Sequence, residues 1–166
     1  MGWNVGGGLV RKLNDQVVAS ILSREHFVFI SETQTQRMWK LRLRQNFAVY
    51  RKDRAKGRAG GVAWLVRHDV DEFVTELYKD AKGIIVLQVD LMMRGGAVVF
   101  LVGVYFPPDG SQSREARAER AFIIDNMSSI LHDLSLRGLL LLVGDTNVRV
   151  GDSVDGTLVD LKAEVF

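Results

Sequence analysis

Five polar residues lie at the ends of apolar runs of the kind that form β-strands. Asn4 ends the first short run, Glu32 closes FVFIS, Tyr105 lies in LVGVYFPP, and Asp145 and Asn147 follow LLLLVG. Because strand ends gather at the rim of a sheet, we expect these side chains to converge on one pocket.

The chemistry of these side chains suits a divalent metal and a phosphate ester. Glu32 and Asp145 offer hard oxygen ligands or bases, while Asn4 and Asn147 offer amides that accept from a water or donate to a phosphate. Mg²⁺ takes one or two carboxylates, keeps several waters and recruits phosphate oxygens of the substrate. The pattern therefore favours metal-assisted hydrolysis of a phosphoester.

Each of these residues also has a purely structural interpretation. Asp145 and Asn147 are turn formers that follow a glycine, and Glu32 suits the N-terminus of a helix. Tyr105 suits the wall of a pocket, and Asn4 suits a turn before the glycines that follow it. Only the shared placement at strand ends favours the chemical interpretation over the structural one.

Apolar patterning predicts the elements that position these residues. A stripe of apolar residues predicts one helix over residues 9–24, and a second stripe predicts a helix over 112–137, with Gly138 at its C-cap. Apolar runs bounded by turn signals predict strands, namely MGWNV, FVFIS, FAVYRKD, GGVAWLVRH, GIIVLQVDLMM, AVVFLVGVYF and LLLLVG. We expect the last of these strands to be buried. Short turns join the strand pairs, which favours a β-sandwich flanked by helices over a doubly wound parallel sheet.

Positive charge is concentrated in residues 37–58. This window holds nine lysine or arginine residues and one acid, Asp53, so it carries +8 in a chain whose net charge is +2. Such a block suits a polyanionic partner such as DNA, and a solvated basic hairpin is the alternative. The candidate contacts with nucleic acid are Arg51, Lys52, Arg54, Lys56 and Arg58.

Composition excludes several classes of protein. The chain contains no cysteine, which excludes disulfides and thiolate metal sites and fits a reducing, intracellular compartment. No run approaches the roughly 20 apolar residues of a membrane span, so we expect no membrane partner. A length of 166 residues suffices for one domain with a sizeable core, and we expect residues 1–166 to belong to a single domain.

Five short motifs, in order over nearly the whole chain, resemble those of the endonuclease/exonuclease/phosphatase superfamily. They are WNV, ISET, YRKDRAKGRAGGVAWLVR, VYFPP and GDTN. The third and fourth are most similar to the endonuclease domain of non-long-terminal-repeat retrotransposons, a reverse-transcriptase-associated domain that resembles apurinic/apyrimidinic endonucleases. The resemblance implies a four-layered α/β/β/α sandwich of the deoxyribonuclease type, with mostly antiparallel sheets flanked by helices.

The same resemblance implies Mg²⁺-dependent cleavage of phosphodiesters, typically in DNA, with Mn²⁺ as a substitute cation. By motif match, Glu32 is the metal ligand and Asn4 lies beside it in the metal site. Tyr105 contacts the scissile phosphate. Asp145 orients or deprotonates the attacking water, and Asn147 assists it.

The chain departs from the family pattern in three ways. Many members carry an acid or amide where this chain has Gly6, and the usual GDFN is GDTN here, with Thr146 in place of the aromatic residue. The family also carries a second acid and a serine–aspartate–histidine motif, and this sequence lacks that motif. We therefore expect an N-terminal two-thirds to three-quarters of the domain, incomplete at its C-terminus, with impaired cleavage. Uncovered sheet edges would favour self-association.

Three functional hypotheses remain open from the sequence. The first is a Mg²⁺-dependent DNA endonuclease of the retrotransposon type, which would be nuclear as part of a retroelement protein. The second is a non-catalytic remnant of the domain that binds nucleic acid or other partners. The third is a phosphomonoesterase of the same fold.

Overall fold

Two four-stranded sheets form the centre of the molecule. The computed structural model describes residues 1–6, 9–13, 15–33, 46–53, 61–80, 83–91, 96–106, 114–145 and 147. Sheet 1 consists, in spatial order, of β1 (Gly2–Asn4), β2 (Phe27–Ser31), β4 (Val62–Arg67) and β3 (Phe47–Lys52). Sheet 2 consists, in spatial order, of β5 (Val74–Lys79), β6 (Ile84–Asp90), β7 (Val98–Tyr105) and β8 (Leu139–Asp145).

Helices cover the outer face of each sheet. The helices of the described residues are α1 (Leu9–Leu13), α2 (Gln16–Leu22), α3 (His68–Asp71) and α4 (Arg114–Ser135). Residues of α1 and α2 share an apolar cluster with sheet 1, and residues of α4 share another with sheet 2. The resulting order of layers is helix, sheet, sheet, helix, which confirms the predicted α/β/β/α sandwich. None of the helices in the described part of the chain combines the length and apolarity needed to cross a membrane.

Most strand pairs are antiparallel, as expected. In sheet 1, β2 and β3 both pair antiparallel with β4, and in sheet 2, β6 pairs antiparallel with β5 and β7. The two exceptions are the parallel pairs β1–β2 and β7–β8. Each parallel pair is bridged along the chain by helical segments, which supply the long crossover that parallel pairing requires.

The two sheets pack closely through an aromatic pair. The rings of Phe29 and Trp64 are 5.1 Å apart, and Trp64 Nε1 donates a hydrogen bond to the carbonyl oxygen of Ile85 in sheet 2 at 3.3 Å. Gly103 of β7 lies against the same rings. A β-carbon at position 103 would lie 2.3 Å from the Phe29 ring, so the sheets can approach this closely only because glycine occupies the position.

The prediction of one continuous helix over residues 9–24 is wrong, because α1 and α2 are separate helices. Asp15 lies at the break with an extended backbone (φ −71°, ψ 128°). Its side chain accepts hydrogen bonds from the N–H groups of Val17 and Val18, at 2.8 and 3.4 Å. Asp15 is therefore the N-cap of a new helix, and this cap overrides the continuous apolar stripe.

Strand β5 and helix α3 were not predicted from the sequence patterns. Along β5, the burial alternates, with Glu76 on the partly buried face and Leu77 on the exposed face. Because this placement reverses the usual hydrophobic alternation, the segment lacks the pattern by which strands are recognised. The four-residue helix α3 is too short to show any periodicity.

The expectation that the leucine-rich strand is buried is wrong for most of its leucines. Leu139, Leu141 and Leu142 of β8 are exposed. The reason is position, because β8 is the end strand of sheet 2 in the described part of the chain. The apolar run correctly predicts a strand, but it does not indicate what covers that strand.

Candidate active site

The ends of four strands form one rim of the sandwich. The strand register places Asn4 of β1 beside Ser31, the last residue of β2, and places Tyr105 of β7 beside Asp145 of β8. Asn4 Nδ2 donates a hydrogen bond of 2.5 Å to Asp145 Oδ2. This contact joins sheet 1 to sheet 2, so the structure brings together two residues that are 141 positions apart in the sequence.

Glu32 reaches the same rim through an unusual backbone conformation. In β2, Val28 and Ile30 pack on the helix side of sheet 1, whereas Phe29 packs between the sheets. Regular alternation would direct Glu32 toward the helices, but its positive φ of 55° breaks the alternation. Its Oε1 instead accepts a hydrogen bond from the Tyr105 hydroxyl of sheet 2, at 3.0 Å. A left-handed backbone at a residue with a side chain is uncommon and often marks a functional site.

Asn147 fixes the backbone that follows β8. Its φ is 47°, its N–H donates to Asp145 Oδ1 at 3.0 Å, and its Nδ2 donates to the Phe106 carbonyl oxygen at 2.8 Å. Asp145 therefore receives one hydrogen bond on each carboxylate oxygen, from Asn147 and from Asn4. These two donors hold the Asp145 carboxylate in one orientation.

A pocket of about 330 Å³ opens between the two sheets at the contact between Asn4 and Asp145. Its lining combines polar rim residues with aromatic and glycine residues, namely Gly2, Trp3, Asn4, Phe29, Ser31, Gly144 and Asp145. Sequence reasoning identified Asn4 and Asp145 but not the rest of the lining. The need for glycine at position 2 follows from the folded structure and not from the sequence pattern, because a β-carbon there would lie 2.8 Å from the Val143 side chain.

The oxygen donors at the rim fit a divalent cation whose remaining coordination positions are filled by the substrate. Glu32 Oε1 is bound by Tyr105, while Oε2 lies on the side of Gly6, 4.0 Å from where a β-carbon of that residue would be. The Asn4 Oδ1 accepts from the Gly6 N–H at 2.8 Å. Among the described residues, no three histidine, aspartate or glutamate side chains are grouped to hold a metal ion. Mg²⁺ commonly needs only one or two carboxylates, together with water and substrate phosphate.

Part of the basic window lies at the same rim. Lys52 ends β3 and is in register with Val62 of β4, which is in register with Ser31 of β2. Arg51 forms an ion pair of 3.2 Å with Asp53. The remaining candidate contacts with nucleic acid lie outside the described residues, namely Arg54, Lys56 and Arg58.

Comparison with known proteins gives a family and a set of similar structures. The model of the Endonuclease/Exonuclease/phosphatase family matches residues 1–158. No curated protein matches the chain. An AP endonuclease from Archaeoglobus fulgidus is similar in fold, with 18% sequence identity and a TM-score of 0.64 over 91% of this chain. The endonuclease domain of TRAS1, a telomere-specific non-LTR retrotransposon, is similar with 18% identity and a TM-score of 0.56 over 89% of this chain.

A third similar structure is a 3′ phosphatase, NExo from Neisseria, bound to a product DNA hairpin. It shares 17% identity with a TM-score of 0.62 over 91% of this chain. This chain spans 58% of the length of each of these three structures. At such identities the likeness shows the shared fold.

Proposed function

Because the chain belongs to the endonuclease/exonuclease/phosphatase family, we propose that it hydrolyses phosphodiester bonds in DNA with the help of a divalent metal, as an endonuclease of the retrotransposon type. The observation that carries this proposal is the pair of contacts across the sandwich, from Asn4 to Asp145 and from Tyr105 to Glu32. These contacts gather two carboxylates, an amide and a phenol at one rim, which is a suitable set for binding and attacking a phosphate ester.

Asp145 is the proposed acceptor for the proton of the attacking water. Its carboxylate is oriented by Asn4 Nδ2 and by the Asn147 N–H, and each oxygen retains capacity to accept a further hydrogen bond. A water bound to this carboxylate would be held beside the pocket between the sheets. The role of Asn4 in this arrangement is to position Asp145, in addition to lying beside the metal ligand.

Glu32 is the proposed metal ligand, through the oxygen that lies beside Gly6. Mg²⁺, or Mn²⁺ in its place, would neutralise the negative charge that develops on the phosphate when it is bound here. Tyr105 fixes the Glu32 carboxylate by donating its single hydroxyl proton to Oε1. To contact the substrate, the hydroxyl would transfer this hydrogen bond from Glu32 to a phosphate oxygen. Removal of the Glu32 charge is therefore expected to weaken metal binding more than any other single change at the rim.

Cleavage is best measured with the protein in excess over its substrate, because single-turnover kinetics separate the chemical step from product release.

Two features support DNA over a small phosphorylated ligand. The window 37–58 carries +8, and the end of β3 places its residue Lys52 at the same rim as the candidate site. Lysine and arginine residues that neutralise phosphates favour a polyanionic nucleic acid over a ligand with a single phosphate.

The experiment that tests this proposal compares three substrates under single-turnover conditions. Supercoiled plasmid, a short DNA duplex and p-nitrophenyl phosphate would each be incubated with the chain in Mg²⁺ and in EDTA, with Glu32→Gln as the metal-site variant. The proposal predicts Mg²⁺-dependent nicking of DNA that Glu32→Gln weakens, and no comparable hydrolysis of the small phosphomonoester. Hydrolysis of the monoester alone would favour the phosphatase hypothesis, and DNA binding without cleavage would favour the non-catalytic remnant.

A further inference from the structure

The backbone of Glu32 lies between two residues that are anchored to neighbouring strands. The Ser31 carbonyl oxygen accepts a hydrogen bond from the Val5 N–H at 3.1 Å. On the other side, the Thr33 N–H donates to the Gly61 carbonyl oxygen at 3.2 Å. Glu32 itself has a φ of 55°. A left-handed backbone at a residue with a side chain persists only where the surrounding structure holds it, so these two anchors determine where the Glu32 carboxylate lies.

The pairing of β2 with β4 shifts by one residue at Glu32. Ser31 is in register with Val62. Regular antiparallel pairing would therefore set Glu32 opposite Gly61. The observed hydrogen bond instead joins Gly61 to Thr33, one residue further along the chain. Glu32 is thus an additional residue on its strand, as in a β-bulge whose first residue is left-handed. Bulges redirect side chains, which accounts for the direction of the Glu32 carboxylate toward sheet 2.

The side chain of Thr33 packs this bulge against Gly61. Thr33 is buried, with 1% of its surface exposed. Gly61 has a φ of +87°, and a β-carbon built on it would lie 2.4 Å from Thr33 Oγ1. The Lys52 carbonyl oxygen lies 3.7 Å from the same β-carbon position. The threonine hydroxyl therefore occupies the space that a side chain at position 61 would need, and any such side chain would displace Thr33.

We propose that Thr33 and Gly61 are positioning residues for Glu32, because their contact holds the bulge that directs the Glu32 carboxylate to the metal. This inference rests on the proposed function, in which Glu32 is the metal ligand. Both residues act through the backbone next to Glu32, and neither has to touch metal or substrate. The expected signature is a Mg²⁺ affinity that depends on the fit between the side chains at positions 33 and 61.

A double-mutant cycle measures this fit by calorimetric titration of Mg²⁺ into the folded, full chain. Gly61→Ala should weaken Mg²⁺ binding by about tenfold or more, as do other changes in the support of a metal ligand. Adding Thr33→Ala should restore much of this loss, because the remaining β-carbon of residue 33 lies at 3.7 Å, an ordinary contact distance. The effects of the two changes should therefore not add.

A second pair of variants tests the same contact without a change at position 61. Thr33→Ser keeps the hydroxyl that packs against Gly61, whereas Thr33→Ala removes it. The serine variant should bind Mg²⁺ as wild type does, and the alanine variant should bind it more weakly, though with a smaller loss than Gly61→Ala. Equal Mg²⁺ affinity for the serine and alanine variants would overturn the proposal, even if Gly61→Ala did not fold.

Gly138→Ala is the matched control for steric overlap at a glycine. Its β-carbon would lie 2.5 Å from the Val98 carbonyl oxygen, at the end of sheet 2 away from the rim. This variant should melt at a lower temperature and bind Mg²⁺ as wild type does. Mg²⁺ binding that Glu32→Gln weakens and Gly61→Ala leaves unchanged would overturn the positioning role while the proposed metal site stands. Equal affinity for wild type and Glu32→Gln would overturn the metal site and this inference with it.

Discussion

A second carboxylate placed at position 6 should make the stability of the protein depend on divalent metal. Gly6 has a φ of +51°, and a β-carbon built on it would lie 4.0 Å from Glu32 Oε2. Gly6→Asp would therefore set two carboxylates side by side. Gly6→Asn is the matched control, because asparagine has nearly the same shape without the charge. Both residues tolerate a positive φ better than other side chains do, so their backbone strain should be similar.

The size of the effect follows from the separation of the two charges. For unit charges about 5 Å apart, the repulsion is about 1 kcal/mol with the screening of water and about 3 kcal/mol at the effective dielectric of a protein surface. One kcal/mol shifts the melting temperature of a chain of this size by about 2 to 4 °C. In EDTA, Gly6→Asp should therefore melt about 2 to 12 °C below Gly6→Asn.

Added Mg²⁺ should close this gap, because a cation between the two carboxylates replaces their repulsion with attraction. Thermal unfolding of both variants, in EDTA and in a Mg²⁺ titration, measures the effect without requiring catalysis. Calorimetry should show tighter Mg²⁺ binding to Gly6→Asp than to wild type. Identical melting of the aspartate and asparagine variants in both conditions would refute the reasoning that Glu32 presents a metal-binding oxygen toward position 6.

Three further predictions address packing, ionisation and nucleic-acid binding. Gly103→Val should lower the free energy of unfolding by about 1 to 3 kcal/mol in denaturant titrations, because its side chain would overlap the Phe29 ring; unchanged stability would contradict the close approach of the sheets. Burial and a hydrogen bond to an α3 carboxylate raise the pKa of Tyr50 above its ordinary value. Stability should therefore fall above about pH 10, where the unfolded chain's tyrosine ionises first, and Tyr50→Phe should reduce this alkaline loss. The double change Arg51→Glu and Arg54→Glu should weaken duplex binding and flatten its salt dependence, as measured by fluorescence anisotropy at several ionic strengths; an unaltered salt slope would indicate a merely solvated basic surface.

The sequence was sufficient to predict the location of the candidate site but not its internal geometry. Because polar residues followed strand-like runs, their gathering at one rim could be expected from topology alone. The bond between Asn4 and Asp145 could not be expected, since it depends on how two separate sheets stack. The contact between Glu32 and Tyr105 depends on a left-handed backbone at Glu32, which short-range patterns do not indicate.

Sequence reasoning failed for elements whose apolar pattern does not match their surroundings in the fold. The apolar stripe over residues 9–24 indicated one helix, whereas the capping side chain of Asp15 divides it in two. Strand β5 exposes Leu77 and partly buries Glu76, so the spacing of its apolar residues does not indicate a strand. Strand β8 is apolar enough for a sheet interior yet is the end strand of sheet 2 among the described residues, because burial is decided by neighbours that a strand's own sequence does not specify.

The most direct test of the proposed hydrolysis is the rate of plasmid nicking by Asp145→Asn, with the protein in excess and Mg²⁺ present. Asp125→Asn on the exposed surface of α4 is the matched control, because it makes the same chemical change away from the rim. We expect nicking by wild type and by Asp125→Asn, abolished by EDTA. We expect a loss of about 10² to 10⁴ in rate for Asp145→Asn, as for removal of a positioned general base. Nicking that Asp145→Asn leaves unchanged, or that persists in EDTA, would contradict the assignment of this rim as the catalytic site.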